Sequence, residues 1–224
     1  SENGIHSGRY YYQNEYFSYG DAVSLYSMMR YFKPKKIVEV GSGFSSAAML
    51  DVNENFLDRR IQFTFIEPYA SRLHSLITEF DRERCQIIET PVQMVEPGIF
   101  RTLEENDILF VDSSHVGKTH SDVLYILFNA LPLLNKGVII HFHDIFWPFE
   151  YPREWVEEGK AFNEAYFLRT FLQYNHEFEM LFFNSFLEHH HEEFLRSNLP
   201  QMVRTPPSEE VAPSNTSLWL RKTS

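Results

Sequence analysis

Two carboxylates and two imidazoles follow two neighbouring apolar runs and are the side chains of this chain best suited to chemistry. Asp112 and His115 come after one run, and His143 and Asp144 close the next. Polar groups at the ends of apolar strands are costly to desolvate unless they pair or bind something. They therefore predict either a divalent-metal site or an acid–base pair. His141, one step deeper in its strand, is predicted to be structural.

A second candidate site is the turn Glu39-Val40-Gly41-Ser42-Gly43, where a β-branched apolar run stops and a helical stretch begins. Such a turn brings backbone N–H groups and a helix N-terminus together, which suits the polar end of a nucleotide-like ligand. The Glu39 carboxylate would repel pyrophosphate and attract a cationic amine or sulfonium. Ser46 stands where the dinucleotide fingerprint G-x-G-x-x-G has its third glycine. A plain strand-to-helix turn is the alternative.

Two further strand ends extend this candidate site, because ligands of open parallel sheets bind beyond the carboxyl ends of the strands. Glu67 ends the second run, where a carboxylate can accept hydrogen bonds from both ribose hydroxyls. Val92 follows the third run and could form a wall for an adenine, or simply begin a loop. The His-rich stretch 188–193 is predicted to be a solvated helix face rather than a metal site.

The elements that position these residues alternate between strand-like and helical runs. The strand-like runs are 36–40, 62–67, 86–89, 107–112 and 137–144, with helical stretches at 44–57, 69–80, 97–105 and 119–134. Short, nearly continuous apolar runs are typical of parallel strands covered on both faces, so the pattern predicts an α/β, doubly wound sheet. Two later strands are predicted at 178–186 and 218–221, with a helix at 188–197 and an exposed, mobile loop at 205–213 between them.

The front of the chain is unusually aromatic over residues 8–19. This composition is wrong for a disordered tail. The segment is predicted either to pack across the ligand site as a lid or to cover an edge of the sheet. The chain is accordingly divided into an aromatic and helical cap at 1–34 and a main domain at 35–224.

Composition limits the class of partner. The chain has 224 residues and a formal net charge of −11, which argues against a nucleic-acid substrate. It has no apolar run of about 18 residues, so no membrane span is expected. A single cysteine, Cys85, and the lack of a visible signal peptide predict a reducing cytoplasm and a structural thiol. A small-molecule partner is expected, and a homo-oligomer is compatible with the sequence.

Taken in order, these motifs resemble a known family. Glu39-x-Gly41-x-Gly43, Glu67-Pro68, Asp112-Ser-Ser-His115 and His143-Asp144 have the order and spacing of a class I S-adenosylmethionine-dependent methyltransferase. The resemblance covers most of the chain, residues 10–223, and includes a last strand similar to the family's reversed seventh strand. It implies a Rossmann-like sheet of seven mostly parallel strands and S-adenosylmethionine as cofactor.

The resemblance also implies roles for the residues of the glycine turn. The acid that precedes Gly-x-Gly, here Glu39, is expected near the methionyl ammonium of the cofactor. Gly41, Ser42 and Gly43 are expected to give it close backbone approach. Ser45 and Ser46, at the start of the following helix, are expected to hold the methionyl carboxylate, while Glu67 binds the ribose and Asp112 completes the cofactor site.

Within the class, the fourth and fifth strand ends resemble the small-molecule O-methyltransferases of the catechol and macrolide-sugar type. Those enzymes hold Mg²⁺ with an Asp after strand four and an acidic pair after strand five. Here the pair is His143-Asp144, and imidazole favours softer divalent ions. The resemblance thus implies a metal on Asp112, His143 and Asp144, or no metal and His115 as general base with Asp112 or Asp144 orienting an imidazole.

The function expected from these observations is methyl transfer from S-adenosylmethionine to a small molecule, most naturally to a hydroxyl. Two other functions remain open. An NAD-type oxidoreductase uses the same sheet topology, although Ser46 and Glu39 do not suit it. A non-catalytic domain that keeps a cofactor pocket becomes the better interpretation if Asp112 and His115 do not face a common cavity.

Overall fold

The structure is a computed structural model that describes residues 8–204 and 213–224. Over these residues seven strands form one sheet. The strands are β1 (Lys36–Val40), β2 (Gln62–Ile66), β3 (Gln86–Ile88), β4 (Ile108–Val111), β5 (Ile139–Phe142), β6 (Phe178–Phe183) and β7 (Leu218–Lys222). The helices are α1 (Tyr19–Phe32), α2 (Phe44–Phe56), α3 (Ser71–Leu76), α4 (Glu79–Arg84), α5 (Gly98–Arg101), α6 (Asp122–Tyr125), α7 (Arg153–Glu157), α8 (Glu164–Leu172) and α9 (Asn184–Asn198).

The strand order β3-β2-β1-β4-β5-β7-β6 confirms the predicted doubly wound sheet. Strands β1 to β5 are parallel, whereas β7 runs antiparallel to both of its neighbours. In the pairing of β1, β4 and β5, Val40 lies opposite Val111, and Val111 lies opposite Phe142. The chain segments that follow these three strands therefore leave the sheet side by side.

Several predicted elements have different bounds. The stretch 69–80 forms two helices, because Thr78 and Asp81 make a reciprocal N-terminal cap that begins α4. The stretch 119–134 begins as α6, continues through one wide helical turn, and ends in a tight turn that contains Pro132. The strand predicted to reach residue 186 ends at Phe183, which pairs with the first residue of β7, and α9 begins at Asn184.

The core lies on both faces of the sheet, as parallel strands require. All four residues of β4 are fully buried at its centre. Helix α1 packs against α2, so the front of the chain is built onto the sheet domain. No helix in the described parts of the chain is long and apolar enough to cross a membrane. The loop predicted at 205–213 lies, apart from Pro213, outside the described residues, as do residues 1–7 of the predicted cap.

Candidate active site

The glycine turn after β1 brings two strand ends into contact. Gly41 has a φ of 82°, and a Cβ on this residue would lie 1.8 Å from the carbonyl oxygen of Asp112. Only glycine allows both the left-handed backbone and this approach. The backbone N–H of Asp112 in turn donates to the carbonyl of Val40 at 2.8 Å. The residues predicted to bind the cofactor after β1 and the residues predicted to be reactive after β4 therefore lie side by side.

Glu39 lies beneath this turn and not on a cavity wall, contrary to the expected contact with the cofactor's ammonium. It is fully buried, and its carboxylate accepts hydrogen bonds from the hydroxyls of Ser45 (2.6 Å) and Ser46. Helix α2 starts directly after the turn, so its first hydroxyls point back over the end of β1. Burial raises the pKa of Glu39 to about 8, although these hydroxyls oppose the shift. Ser46 is also fully buried, and only Ser45 reaches the cavity described below.

Glu67 links two adjoining cavities. Its carboxylate accepts backbone hydrogen bonds from Ser42 (3.1 Å) and Tyr69 (2.8 Å), which orient it at the end of β2. On one side a cavity of about 390 Å³ is lined by Val92 and the neighbouring Pro91. On the other side is a larger cavity of about 930 Å³. Both cavities are also lined by the residues Gly41, Asp112 and Ser113.

The larger cavity collects nearly all of the predicted site. The glycine turn reaches it through Gly41, Ser42, Gly43 and Ser45. The same cavity is lined by Asp112, His115, His143 and Asp144. Residues that are far apart in the sequence thus meet at the carboxyl ends of β1, β4 and β5. Glu39 and Ser46 support this wall from behind, and Val92 belongs to the adjoining cavity.

Four side chains form what we call the reactive cluster: Asp112, His115, Asp144 and Glu164. The Nε2 atom of His115 is 3.4 Å from Asp112 Oδ1 and 3.4 Å from Asp144 Oδ2. Its Nδ1 atom is 2.9 Å from Glu164 Oε2. His115 and Asp144 both have left-handed backbones, with φ of 58° and 55°.

Glu164 is the member of the cluster that sequence reasoning missed. It is the first residue of α8 and is only 1% exposed. Besides His115, it accepts a hydrogen bond from the hydroxyl of Ser113 at 3.0 Å. The N–H groups of Asn163 and Glu164 donate to the carbonyl of His115 at 2.9 and 3.2 Å, so the loop and the helix start are locked together. A negative charge at a helix start is stabilised there, but nothing local in the sequence connects it to His115.

The partners of His115 determine its protonation. An ionised carboxylate can only accept hydrogen bonds, so a ring whose two nitrogens both face carboxylates donates from both. Burial opposes this charge, but the hydrogen bonds to Asp112 and Glu164 and the charge of Asp144 raise the pKa of His115 well above its usual value. A protonated imidazole has no lone pair for a substrate proton. The role of His115 as general base stays a prediction, and the carboxylates at both ring nitrogens favour a hydrogen-bond donor.

His143 reaches the cavity but has partners for both ring nitrogens. Its Nε2 donates to the carbonyl of Tyr16 at 3.3 Å, and its Nδ1 is 3.3 Å from the hydroxyl of Thr216. Burial lowers the pKa of His143, but Asp144 and Asp112 outweigh it and the net shift is upward. A nitrogen that carries a proton cannot ligate a metal. Across residues 8–204 and 213–224, no group of three or more His, Cys, Asp or Glu is arranged to hold a metal ion.

Residues 15–17 of the aromatic front segment line this site, whereas Arg9 of the same segment pairs with Asp51 on α2 and Asp81 on α4. Tyr16 and Phe17 line the larger cavity, and Phe17 packs on the ring of His143 at 5.3 Å. The guanidinium of Arg72 lies 3.5 Å from the centre of the Tyr16 ring. Arg72 also lines the cavity, and its side chain makes no ion pair or hydrogen bond within the described residues. Sequence analysis did not single out Arg72.

The far side of the cavity, beyond the reactive cluster, is aromatic and charged. Phe162 packs 4.9 Å from the ring of His115, and Trp155 packs on Phe162 at 5.6 Å. Lys160 lies over Trp155 at 4.1 Å and pairs with Glu158 at 3.3 Å. This half has room for a second ligand next to the cluster.

Other histidines behave as the sequence predicted. His141 is fully buried, stacked on Phe110 at 3.7 Å, and bonded to the hydroxyl of Ser217 at 2.9 Å. Burial lowers its pKa well below the usual value. The run His189-His190-His191 lies exposed on α9, which confirms a solvated helix face.

Comparison with known proteins shows what part of this chain resembles a known family. Residues 38–145, nearly half of the chain, match the family described as a methyltransferase domain. An uncharacterised protein of Archaeoglobus fulgidus is 40% identical over 99 residues, which make up 44% of this chain and 44% of that protein. The aligned region therefore spans less than half the length of this relative.

Solved structures of methyltransferases share the fold, among them the following two. The S-adenosylhomocysteine-bound methyltransferase of Podospora anserina is similar with a TM-score of 0.52 and 18% identity, over 91% of this chain and 78% of that chain. The O-methyltransferase TomG of Streptomyces achromogenes, solved with S-adenosylmethionine, is similar with a TM-score of 0.52 and 14% identity, over 91% and 79%. Residues 38–145 are thus similar to a methyltransferase domain, and the sheet has the fold of these methyltransferases.

Proposed function

We propose that this protein is an S-adenosylmethionine-dependent methyltransferase that acts on a hydroxyl of a small molecule. The observation that carries the proposal is the continuity of the two cavities past Glu67 and the glycine turn to the reactive cluster. An elongated cofactor fits along this path, with its reactive end beside Asp112 and Asp144. The second half of the larger cavity then receives the acceptor.

Each part of the cofactor has a matching group. The apolar surface around Val92 suits an adenine, and the oriented carboxylate of Glu67 suits the ribose hydroxyls. Arg72 offers unpaired donors at the glycine turn, which suits the methionyl carboxylate. The acidic residues Asp112 and Asp144 suit a cationic sulfonium. When bound, the cofactor supplies an electrophilic methyl group whose transfer is an in-line displacement.

The reactive cluster would act on the acceptor's hydroxyl. The Nε2–H of His115 can donate to the hydroxyl oxygen and lower the cost of its negative charge as the proton leaves. Asp144 is the proposed proton acceptor, because it lines the cavity and is the more buried of the two carboxylates beside Nε2, at 18% against 29% exposure. Trp155 and Phe162 would hold the acceptor's apolar body. The alignment of the two ligands supplies the rest of the acceleration.

The two alternative functions are less well supported. Asp112 and His115 face one cavity, which argues against a non-catalytic domain. The match to a methyltransferase domain, with Ser46 bonded to Glu39 where a dinucleotide site has glycine, argues against an NAD-type oxidoreductase. We also infer a reducing, cytoplasmic setting from Cys85, the single cysteine of the chain, since burial raises the pKa of its thiol to about 12 and leaves it unreactive.

Calorimetry with S-adenosylhomocysteine, S-adenosylmethionine and NAD tests the cofactor assignment. We expect both methionine-derived ligands to bind and NAD to bind at least about tenfold more weakly, because the glycine turn does not suit pyrophosphate. Glu67→Ala should lower the affinity for S-adenosylhomocysteine far more than the affinity for free methionine. Equal or tighter binding of NAD would contradict the proposal. Transfer of a labelled methyl group to a panel of hydroxylated small molecules would then identify the acceptor.

A further inference from the structure

The divalent cation implied by the family resemblance conflicts with the side chains that surround its expected position. Its predicted ligands are Asp112, His143 and Asp144. The carboxylates of Asp112 and Asp144 converge, but they converge on His115 Nε2, which is 3.4 Å from each. The third predicted ligand, His143, donates its Nε2 proton to the carbonyl of Tyr16. Neither arrangement leaves the donor set that a metal requires.

The imidazole of His115 is held firmly in this position. Glu164, itself buried, receives the Nδ1–H, and Phe162 packs on the ring. The backbone carbonyl of His115 accepts two N–H groups from the start of α8. A ring fixed at its backbone, at its far nitrogen and on one face has little freedom to swing out for a competing ion.

We propose that His115, positioned by Glu164, takes the place of a metal ion between Asp112 and Asp144. The ring fills the space between the two carboxylates and presents its Nε2 atom to the acceptor oxygen. The proposal rests on the proposed methyl transfer for its catalytic meaning, but the filled cation position is a property of the protein alone. Removing the imidazole should therefore create a metal site that the native protein does not have.

Manganese binding tests this directly. Free Mn²⁺ is measured by electron paramagnetic resonance in chelator-treated native protein, in His115→Ala and in His74→Ala, each with S-adenosylhomocysteine present. His74 is a matched control, because it pairs with Glu89 outside the cavity. We expect His115→Ala to bind Mn²⁺ roughly tenfold or more tightly than the other two, since the ring no longer occupies the space between two carboxylates. Adding Asp112→Asn to His115→Ala should remove that gain.

Two results would overturn the proposal. One is native binding of Mn²⁺ as tight as that of His115→Ala and lost in Asp112→Asn. The other is a folded His115→Ala protein with no gain in Mn²⁺ affinity. If His115→Ala does not fold, Glu164→Gln keeps the ring but frees it, and a smaller gain is then expected; its absence would equally contradict the proposal. Calorimetry with S-adenosylhomocysteine on the native protein reports on the proposed function independently of the metal result.

Discussion

Two buried clusters of polar side chains lie at the same end of the sheet and have opposite characters. Asp21, on α1, is fully buried and accepts hydrogen bonds from the backbone N–H groups of Thr216 and Ser217 at 2.9 and 2.8 Å. It also accepts from the side chain of Asn184 at 3.1 Å. The hydroxyls of Thr216 and Ser217 donate to it as well, so all of its donors are neutral. The Asp21 cluster therefore fastens α1 to β7 and α9.

The reactive cluster is also mostly buried, but its carboxylates pair with a titratable ring, and Asp112 and Asp144 line a cavity. His143 connects the two clusters, since Thr216 bonds both Asp21 and His143, and the Nε2 atom of His143 is 3.7 Å from Asp144 Oδ1. Burial of an acid therefore does not by itself identify a site. What separates the two is whether the partners are fixed neutral donors in a closed core or charged side chains facing a cavity.

The sharpest test of this distinction is Asp112→Asn. Turnover should fall by about 100-fold or more, because a carboxylate beside the imidazolium and the sulfonium is lost. The melting temperature should stay within roughly 4 °C, as expected for a partly exposed carboxylate. Labelled methyl transfer and thermal unfolding measure the two effects. Native turnover in this variant would show that Asp112 takes no part in the reaction.

Asp21→Ala should show the opposite pattern. The free energy of unfolding should fall by about 3 kcal/mol, because two buried N–H groups lose their acceptor. Urea unfolding measures this change, with Asp58→Ala as the control, since Asp58 forms an exposed pair with Arg60. The affinity of the folded protein for S-adenosylhomocysteine should remain native. A loss of affinity for S-adenosylhomocysteine with unchanged stability would show that Asp21 acts in ligand binding and not in holding the fold together.

Arg72→Gln tests whether Arg72 binds the carboxylate of the cofactor. The affinity for S-adenosylhomocysteine should fall about tenfold to 100-fold, the value of one charged hydrogen-bonded contact. The affinity for 5′-methylthioadenosine, which has no carboxylate, should not change. Arg60→Gln is the control, because Arg60 pairs with Asp58 at the surface. Equal losses for both ligands would show that Arg72 acts on the shape of the cavity and not on the carboxylate.

The smallest expected effect concerns Glu39 and pH. Its folded pKa of about 8 lies above the ordinary value of 4.5, so the folded state holds the proton more tightly than the unfolded chain. Stability from this group is present below about pH 4.5 and is lost as pH rises towards 8, by at most about 1.4 kcal/mol per pH unit. Glu39→Gln should flatten the decline between pH 6 and 7. Urea unfolding at several pH values measures this. The same decline of the unfolding free energy with pH in both proteins would contradict the raised pKa of Glu39.

Much of the fold follows from local pattern. Short apolar runs alternating with helical stretches predict the strands β1 to β5 and a doubly wound sheet, because parallel strands need helical crossovers of one hand. The glycine turn, Glu67 and the polar ends of β4 and β5 were likewise visible in the sequence, and the structure gathers them around two adjoining cavities. Element ends were less predictable, since the end of β6 depends on its pairing with β7.

The sequence by itself determined which residue types follow each strand. It also determined that they gather at one edge of the sheet, because parallel strands all end there. Only the tertiary structure decided what those residues do there. It turned Glu39 inward to Ser45 and Ser46, brought Glu164 from 49 positions along the chain to His115, and laid Tyr16 and Arg72 over the glycine turn. Hydrogen-bond partners and burial set the charge of a side chain, and both arise from contacts between distant segments.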